Sequence, residues 1–351
     1  MDQKKMFCGY EPHRASVRAL GESTVFMAPT SEGDCLVIIG VNPGFEGREE
    51  AGDGMPCVVA ELTHHNAEKL RELFPFTAPR AGIAGNCSIG VGDRLGTATA
   101  GHLRVFKKYP KVFPILAQQS IRELNLTNRT YEEVLDCATF AVFKAGYESG
   151  FGADGDHLKK PEEIEYALKC GFSMITLDCS EHIRGDAANY SLNELSEHYQ
   201  PDKDLEETYL ERDLPVAEDI TLRFSREDLM RAALIYGEAL TFMRDIYQRY
   251  VNGKDVDFEI SIDETMTPTT PLQHYFVANE LTRHGVHFQS LAPRFCGEFQ
   301  KGIDYIGDLE QFSNELKVHA AIAKHFGYKV SVHSGSDKFK VFPAVGRLCE
   351  G

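Results

Sequence analysis

From about residue 87 onward the sequence repeats one pattern: a short apolar run, a polar loop, an amphipathic helix and another apolar run. That alternation predicts strands joined by helical crossovers, and hence a parallel sheet covered by helices. The expected strands are 87–94, 113–121, 150–157, 172–179, 256–264, 286–295 and 328–335. Expected helices include 131–146, 161–171, 226–251, 271–285 and 314–327. Several have the expected punctuation, with Pro161 opening one and Gly171, Gly285 and Gly327 closing others. The first ~80 residues fit the rhythm poorly. They are expected as an N-terminal extension, 1–80, containing a strand in 34–45 and a helix over 60–74, followed by a β/α domain over 81–351. The acidic, irregular segment at about 180–225 interrupts the series and is expected as an insertion.

Seven such units are one short of a TIM-type (β/α)8 barrel, and an open doubly wound sheet satisfies the same count. The barrel is preferred because polar residues close nearly every strand, and barrel enzymes carry their chemistry at those ends. In order they are Asp93 and Arg94, Gln118 and Gln119, Asp156 and His157, Asp178, Asp263 and Glu264, Arg294, and His333. Within 256–264, Phe258, Ile260 and Ile262 share one strand face and are expected outward. Glu259, Ser261 and Asp263 then point inward, where a glutamate needs a partner, a proton or a metal. His274, in the first turn of the next helix, reaches the same mouth, whereas His287 begins a strand and lies at the other end. His157, His274 and His333 would suit Zn²⁺ or a similar divalent ion with one position open. Glu259 is a further ligand or an acid/base. The blander reading is that each of these histidines is a hydrogen-bonded structural residue. His284, His319 and His325 are expected on helix surfaces, and His64 and His65 without a role.

Composition narrows the function. With 37 basic against 53 acidic residues the net charge is −16, which argues against broad nucleic-acid binding but leaves room for a small anion held by one or two cations. No apolar run approaches the ~20 residues of a membrane span, and the first residues lack the apolar core of a signal peptide. Nine cysteines without a CxxC pair read as reduced thiols of a cytoplasmic protein. No Gly-rich phosphate cradle at a helix start is clear, so neither a nucleotide cofactor nor a phosphorylated substrate is expected.

Short strings then add a resemblance. GADGDHLKK (152–160), GFSMITLDCSE (171–181) and HSGSDK (333–338) are similar to the class II fructose-bisphosphate aldolases. That likeness implies an acid/base role for Asp156 and zinc ligation by His157 and His333. Longer strings resemble the tagaturonate/fructuronate epimerase family: GVGDRLGTATAGH (90–102), ILAQQSIREL (115–124), SIDETMTPTTPLQH (261–274), SLAPRFCGEFQKGIDYIGDLEQF (290–312) and SVHSGSDKFKVFP (331–343). The resemblance spans roughly 80–343 and implies a metal-dependent isomerase of hexuronate catabolism in an aldolase-like barrel. Family members continue well past HSGSDK, so the barrel is expected to lack its last β/α unit.

The two keto-hexuronates differ at a carbon one position beyond the α-carbon of the ketone. Enolisation does not invert that carbon, whereas a retro-aldol step does. On this reading the ion, Zn²⁺ first with Ni²⁺ or Mn²⁺ as alternatives, acts as Lewis acid. Asp156 takes the proton of the hydroxyl on the inverted carbon, with Glu259 as partner acid/base. Arg94, Arg294, Lys301 or Lys338 would hold the carboxylate; Gln118, Gln119 and Ser336 would contact hydroxyls, and Asp93 is a further substrate-binding candidate. Asp178 and Glu264 are second-line candidates. A homo-oligomer is compatible with all of this. The rivals are an aldolase-like lyase, an aldose–ketose isomerase and a sugar-acid binding protein without turnover.

Overall fold

The computed structural model describes residues 7–51, 54–85 and 87–349. Contact density divides the chain into two compact units. One comprises residues 1–82, 86–156 and 166–173; the other comprises 83–85, 157–165 and 174–351.

The first unit opens with an antiparallel sheet that the sequence rhythm did not announce. Its strands are β1 (Arg18–Leu20), β2 (Ser23–Thr30), β3 (Gly33–Ile39), β4 (Arg48–Ala51) and β5 (Pro56–Ala60), ordered β1-β2-β3-β5-β4. Alternation along these strands creates two apolar faces. Val25, Met27, Leu36, Ile38 and Val58 pack with Ala67 and Leu70 of α1 (His64–Leu73) and with Phe140 and Phe143 of a later helix. Phe26, Ala28, Cys35, Val37, Cys57 and Val59 form the other face, covered by Phe7, Cys8, Tyr10 and Val17. Two buried faces explain why 34–45 reads as a plain apolar run rather than an alternating one.

The β/α series begins in the same unit with β6 (Cys87–Gly90), α2 (Thr99–Phe106), β7 (Val112–Gln119), α3 (Ile121–Thr127), α4 (Tyr131–Ala145) and all but the last two residues of β8 (Gly152–Leu158). Helix α4 starts at a reciprocal capping box between Thr130 and Glu133 and stops at Gly146, whose φ of 56° the glycine adopts without a Cβ clash. It continues with α5 (Pro161–Lys169) and β9 (Met174–Asp178).

The acidic stretch at about 180–225 is not irregular. It forms α6 (Leu192–His198), α7 (Lys203–Tyr209) and a hairpin of β10 (Leu214–Ala217) with β11 (Ile220–Leu222). Tyr209 anchors it: its ring is fully buried and its hydroxyl donates to Glu280 Oε1 at 2.6 Å. Then come α8 (Arg226–Ile246), β12 (Asp257–Ile262), α9 (Pro271–Arg283), β13 (Ser290–Pro293), α10 (Leu309–Phe326), β14 (Lys329–Val330) and α11 (Phe342–Leu348).

The parallel series has the order β6-β7-β8-β9-β12-β13-β14. The order is sequential, unlike a doubly wound sheet, whose order reverses at its middle. The expectation of a (β/α)8 barrel short of one unit is nevertheless overturned. The seven-stranded series ends at β6 and β14 with no pairing between them among the described residues, and it is accompanied by two antiparallel sheets. A physical reason lies at the last strand. The expected strand over 328–335 shrinks to Lys329–Val330, because Ser334 and Asp337 take left-handed backbone conformations that turn the chain out of the sheet. Among the described residues no helix is long and apolar enough to cross a membrane.

Helix α4 carries much of the first unit's core, so its cap has a measurable stake. Thr130→Ala removes the acceptor for the Glu133 N–H and is expected to lower unfolding free energy by about 1 kcal/mol. Urea denaturation checks this, with an unchanged midpoint as the contrary result.

Candidate metal centre

β12 lies between β9 and β13 and is buried along its whole length. Parallel register sets Thr176 on one side of Glu259 and Ser290 on the other. The Glu259 carboxylate therefore meets two hydroxyls inside the sheet: Ser290 Oγ donates to Oε2, and Thr176 Oγ1 lies 3.5 Å from Oε1. The decisive partner is His333 just beyond β14, whose Nε2 is 2.7 Å from Glu259 Oε1. Burial alone would push this carboxyl up in pKa, but His333 and the hydroxyls outweigh it and hold Glu259 below its ordinary value. The same pair raises His333 to about 10 in the absence of any metal, against a burial effect that would lower it.

With Nε2 turned to Glu259, the other imidazole nitrogen of His333 points elsewhere. Nδ1 is buried, makes no hydrogen bond, and lies 3.3 Å from Asp263 Oδ1. Asp263 follows β12 and accepts a hydrogen bond from Ser261 Oγ at 2.5 Å. His157 completes the group, with Nε2 3.8 Å from Asp263 Oδ1 and its ring centroid 4.8 Å from that of His333. Burial would raise the Asp263 pKa; the neighbouring His157 and His333 imidazoles overcome it and hold it far below the carboxylate range. His157 has φ +54°, a left-handed conformation that a non-glycine residue adopts when its surroundings impose it. One ligand atom from each of His157, Asp263 and His333 lies within 4.8 Å of the others.

These donors fit a divalent ion. Two imidazoles and a carboxylate converge with coordination positions to spare, as in catalytic rather than closed structural sites. Glu259 acts behind them. By accepting from Nε2 it selects the tautomer whose lone pair is on Nδ1, the arrangement in which a carboxylate orients a metal-bound histidine. The structure thus gives Glu259 a holding role toward His333, and its two oxygens are engaged with His333, Ser290 and Thr176.

The expected third imidazole is not part of this group. His274 is fully buried in α9, with Nδ1 2.8 Å from His319 Nδ1 and Nε2 2.6 Å from the Tyr328 hydroxyl. Both ring nitrogens are engaged, and burial together with His319 keeps its pKa well below the usual value. His319, expected on a helix surface, is likewise buried, and burial lowers it to about 4. Asp263 stands where His274 was expected. Its signal was present in the sequence, since alternation puts it on the same strand face as Glu259.

An open cleft of about 330 Å³ adjoins the group, lined by Asp263, His333, Ser334, Pro293, Arg294, Phe295 and the segment 297–300. Arg294 is the expected cation that reaches it. Its backbone is clasped by Thr269, whose N–H donates to Arg294 O at 2.8 Å and whose Oγ1 accepts from Arg294 N at 3.0 Å. Lys338 does not reach it: its ammonium is buried and bound to three carbonyl oxygens. One of those is the carbonyl of Ser336, whose own side chain is exposed. Lys301 is exposed.

Lys159, which sequence reasoning passed over, lies two residues beyond His157. Its ammonium is 3.3 Å from Asp178 Oδ2, 3.5 Å from Glu264 Oε2 and 3.1 Å from Ser180 Oγ. Burial would lower its pKa, but Asp178 and Glu264 raise it, so the two second-line carboxylates serve a fixed cation. In the other compact unit, Asp93 caps α2 by accepting from the N–H groups of Thr97, Ala98 and Thr99. Arg94 pairs with Glu123 at 2.5 Å. Gln118 donates to Asp154 at 3.2 Å, and Gln119 is buried and donates to Thr127 at 3.3 Å. Asp156 is half-buried and directly precedes His157.

The family described as "UxaE: tagaturonate epimerase" matches residues 13–351. The tagaturonate/fructuronate epimerase of Thermotoga maritima is 44% identical over 352 aligned positions, covering 98% of this chain and 72% of that protein. Two crystal structures of the fructuronate-tagaturonate epimerase UxaE from Cohnella laeviribosi, one with glycerol and one native, superpose with TM-scores of 0.93 and 0.92. Each is 47% identical and shares 97% of this chain and 70% of its own.

If Glu259 orients His333, replacing its charge weakens the donor set without removing a donor. Glu259→Gln is expected to lower affinity for Zn²⁺ or Mn²⁺ by about 10- to 100-fold, measured by competition with a fluorescent chelator. Unaltered affinity would show that the tautomer is set by something else.

Proposed function

Because the chain belongs to the tagaturonate epimerase family, we propose that it interconverts tagaturonate and fructuronate and does so with a divalent ion held by His157, Asp263 and His333. The observation that carries the metal is the buried Nδ1 of His333, which has no hydrogen bond and faces two other donors. When bound, the ion would supply Lewis-acid stabilisation of negative charge on the substrate's ketone oxygen. The reducing cytoplasm is the compartment proposed with it, supported by nine unpaired cysteines.

The chain's own residues then divide the work. Arg294, held by Thr269 and facing the cleft, binds the substrate carboxylate. Asp156 accepts the hydroxyl proton on the carbon to be inverted. That hydroxyl becomes an aldehyde as the bond to the α-carbon breaks, and the bond's electron pair passes into the ketone as an enediolate. The aldehyde turns, the same bond forms on its other face, and Asp156 returns the proton. Every atom is conserved, as an isomerisation requires. Glu259 keeps His333 in place and is relieved of the acid/base role expected from sequence. Phe295 and Phe299 contribute apolar lining to the cleft.

Tagaturonate turnover by the purified chain, before and after chelation, tests this reading. Activity should vanish with the metal and return on addition of Zn²⁺, Mn²⁺ or Ni²⁺, with no three-carbon product released. A fully loaded, folded chain that leaves tagaturonate unchanged would sink the proposal, and accumulation of three-carbon fragments would favour a lyase. Asp156→Ala should reduce turnover by about 10²- to 10⁴-fold at unchanged metal content. Loss of metal from that variant would make Asp156 a ligand or a structural residue instead.

A further inference from the structure

Lys338 presents an ammonium that is entirely buried and faces carbonyl oxygens. Its Nζ donates to Gln300 O at 2.7 Å, Ile303 O at 2.7 Å and Ser336 O at 3.0 Å. An ammonium has three donors and here each finds an acceptor, which is what allows a cation to remain out of water. Two of the acceptors lie in the loop between β13 and α10, and the third lies three residues after His333.

That loop is built to hold one shape. Glu298 N donates to Ile306 O at 2.8 Å, closing its neck. Tyr305 fills its centre, buried, with its hydroxyl 3.1 Å from Cys296 O and 3.3 Å from Asp308 O. Gly297 and Gly307 leave the room for this: a Cβ on either would come within 2.4 and 2.5 Å of the Tyr305 hydroxyl. Lys340 adds a donor from outside, Nζ to Tyr305 O at 3.3 Å. The same loop offers Glu298, Phe299 and Gln300 to the cleft that also contains His333 and Ser334.

We propose that Lys338 is a positioning residue that locks the 297–307 loop to the His333 segment and so fixes the substrate-recognising wall of the cleft. The wall is pre-formed rather than a closing lid, and it acts on substrate binding rather than on metal binding or bond breaking. The substrate part of this inference rests on the epimerase reading above; the lock itself does not.

The test combines amide hydrogen exchange over 297–307, tagaturonate kinetics and metal content for the wild type, Lys338→Met and Tyr305→Phe. Lys338→Met keeps the buried stem and removes the charge. Exchange in the loop should rise about tenfold. KM should rise about tenfold, while kcat and metal per chain stay within about twofold. Tyr305→Phe should move both readouts the same way by less, and it decides the matter if Lys338→Met does not fold. Unchanged exchange overturns the lock. Faster exchange with unchanged KM overturns the wall, as does a loss confined to kcat and metal. A wild-type chain without turnover would instead remove the epimerase reading, and exchange alone would still decide the lock.

Discussion

A carboxylate inside a sheet has to be compensated, and Glu259 shows how one such requirement organises a site. Its two oxygens draw in hydroxyls from both neighbouring strands and an imidazole from the end of a third. Because His333 spends Nε2 on this carboxylate, Nδ1 is the nitrogen left to face Asp263 and His157. The proposed metal affinity is therefore prepared one layer behind the donors, in the register of β9, β12 and β13.

Fixed cations repeat the principle. Lys159 ties the ends of β9 and β12 together through Asp178 and Glu264, beside the donor group. Lys338 ties a loop to the His333 segment through carbonyls. Arg294 is different: its backbone is clamped by Thr269, and the residue lines the cleft. A carboxylate-bearing ligand needs a cation that is positioned yet uncommitted, and this division of labour separates the structural cations from the one proposed to bind substrate.

Much of this was legible in the chain. The glycine stops and the short parallel strands follow from local rules of hydrogen bonding and backbone freedom. Alternation along β12 sorted Phe258, Ile260 and Ile262 from Glu259, Ser261 and Asp263 before any contact was known. The N-terminal sheet was not legible beyond one strand. Its strands are buried on both faces or very short, so their polar–apolar alternation is weak. The barrel short of one unit was an over-reading, since sequential strand order does not by itself make a sheet a barrel, and the turn after β14 ended the last strand at two residues.

The sequence by itself determined the element types, the family and the residue types that could carry metal chemistry, because those reside in local periodicity and in strings of adjacent residues. Only the tertiary structure decided which of them meet. Along the chain His274 reads as the donor and Asp263 as one more polar strand end. Packing of α9 against α10 commits both nitrogens of His274 to His319 and Tyr328, while the end of β12 delivers Asp263 to His333. Lys338 is likewise an ordinary surface-type residue until its loop closes around it. Contacts between residues 45 or 74 positions apart, such as His274 with His319 or Glu259 with His333, depend on how whole elements pack, and no local pattern encodes that.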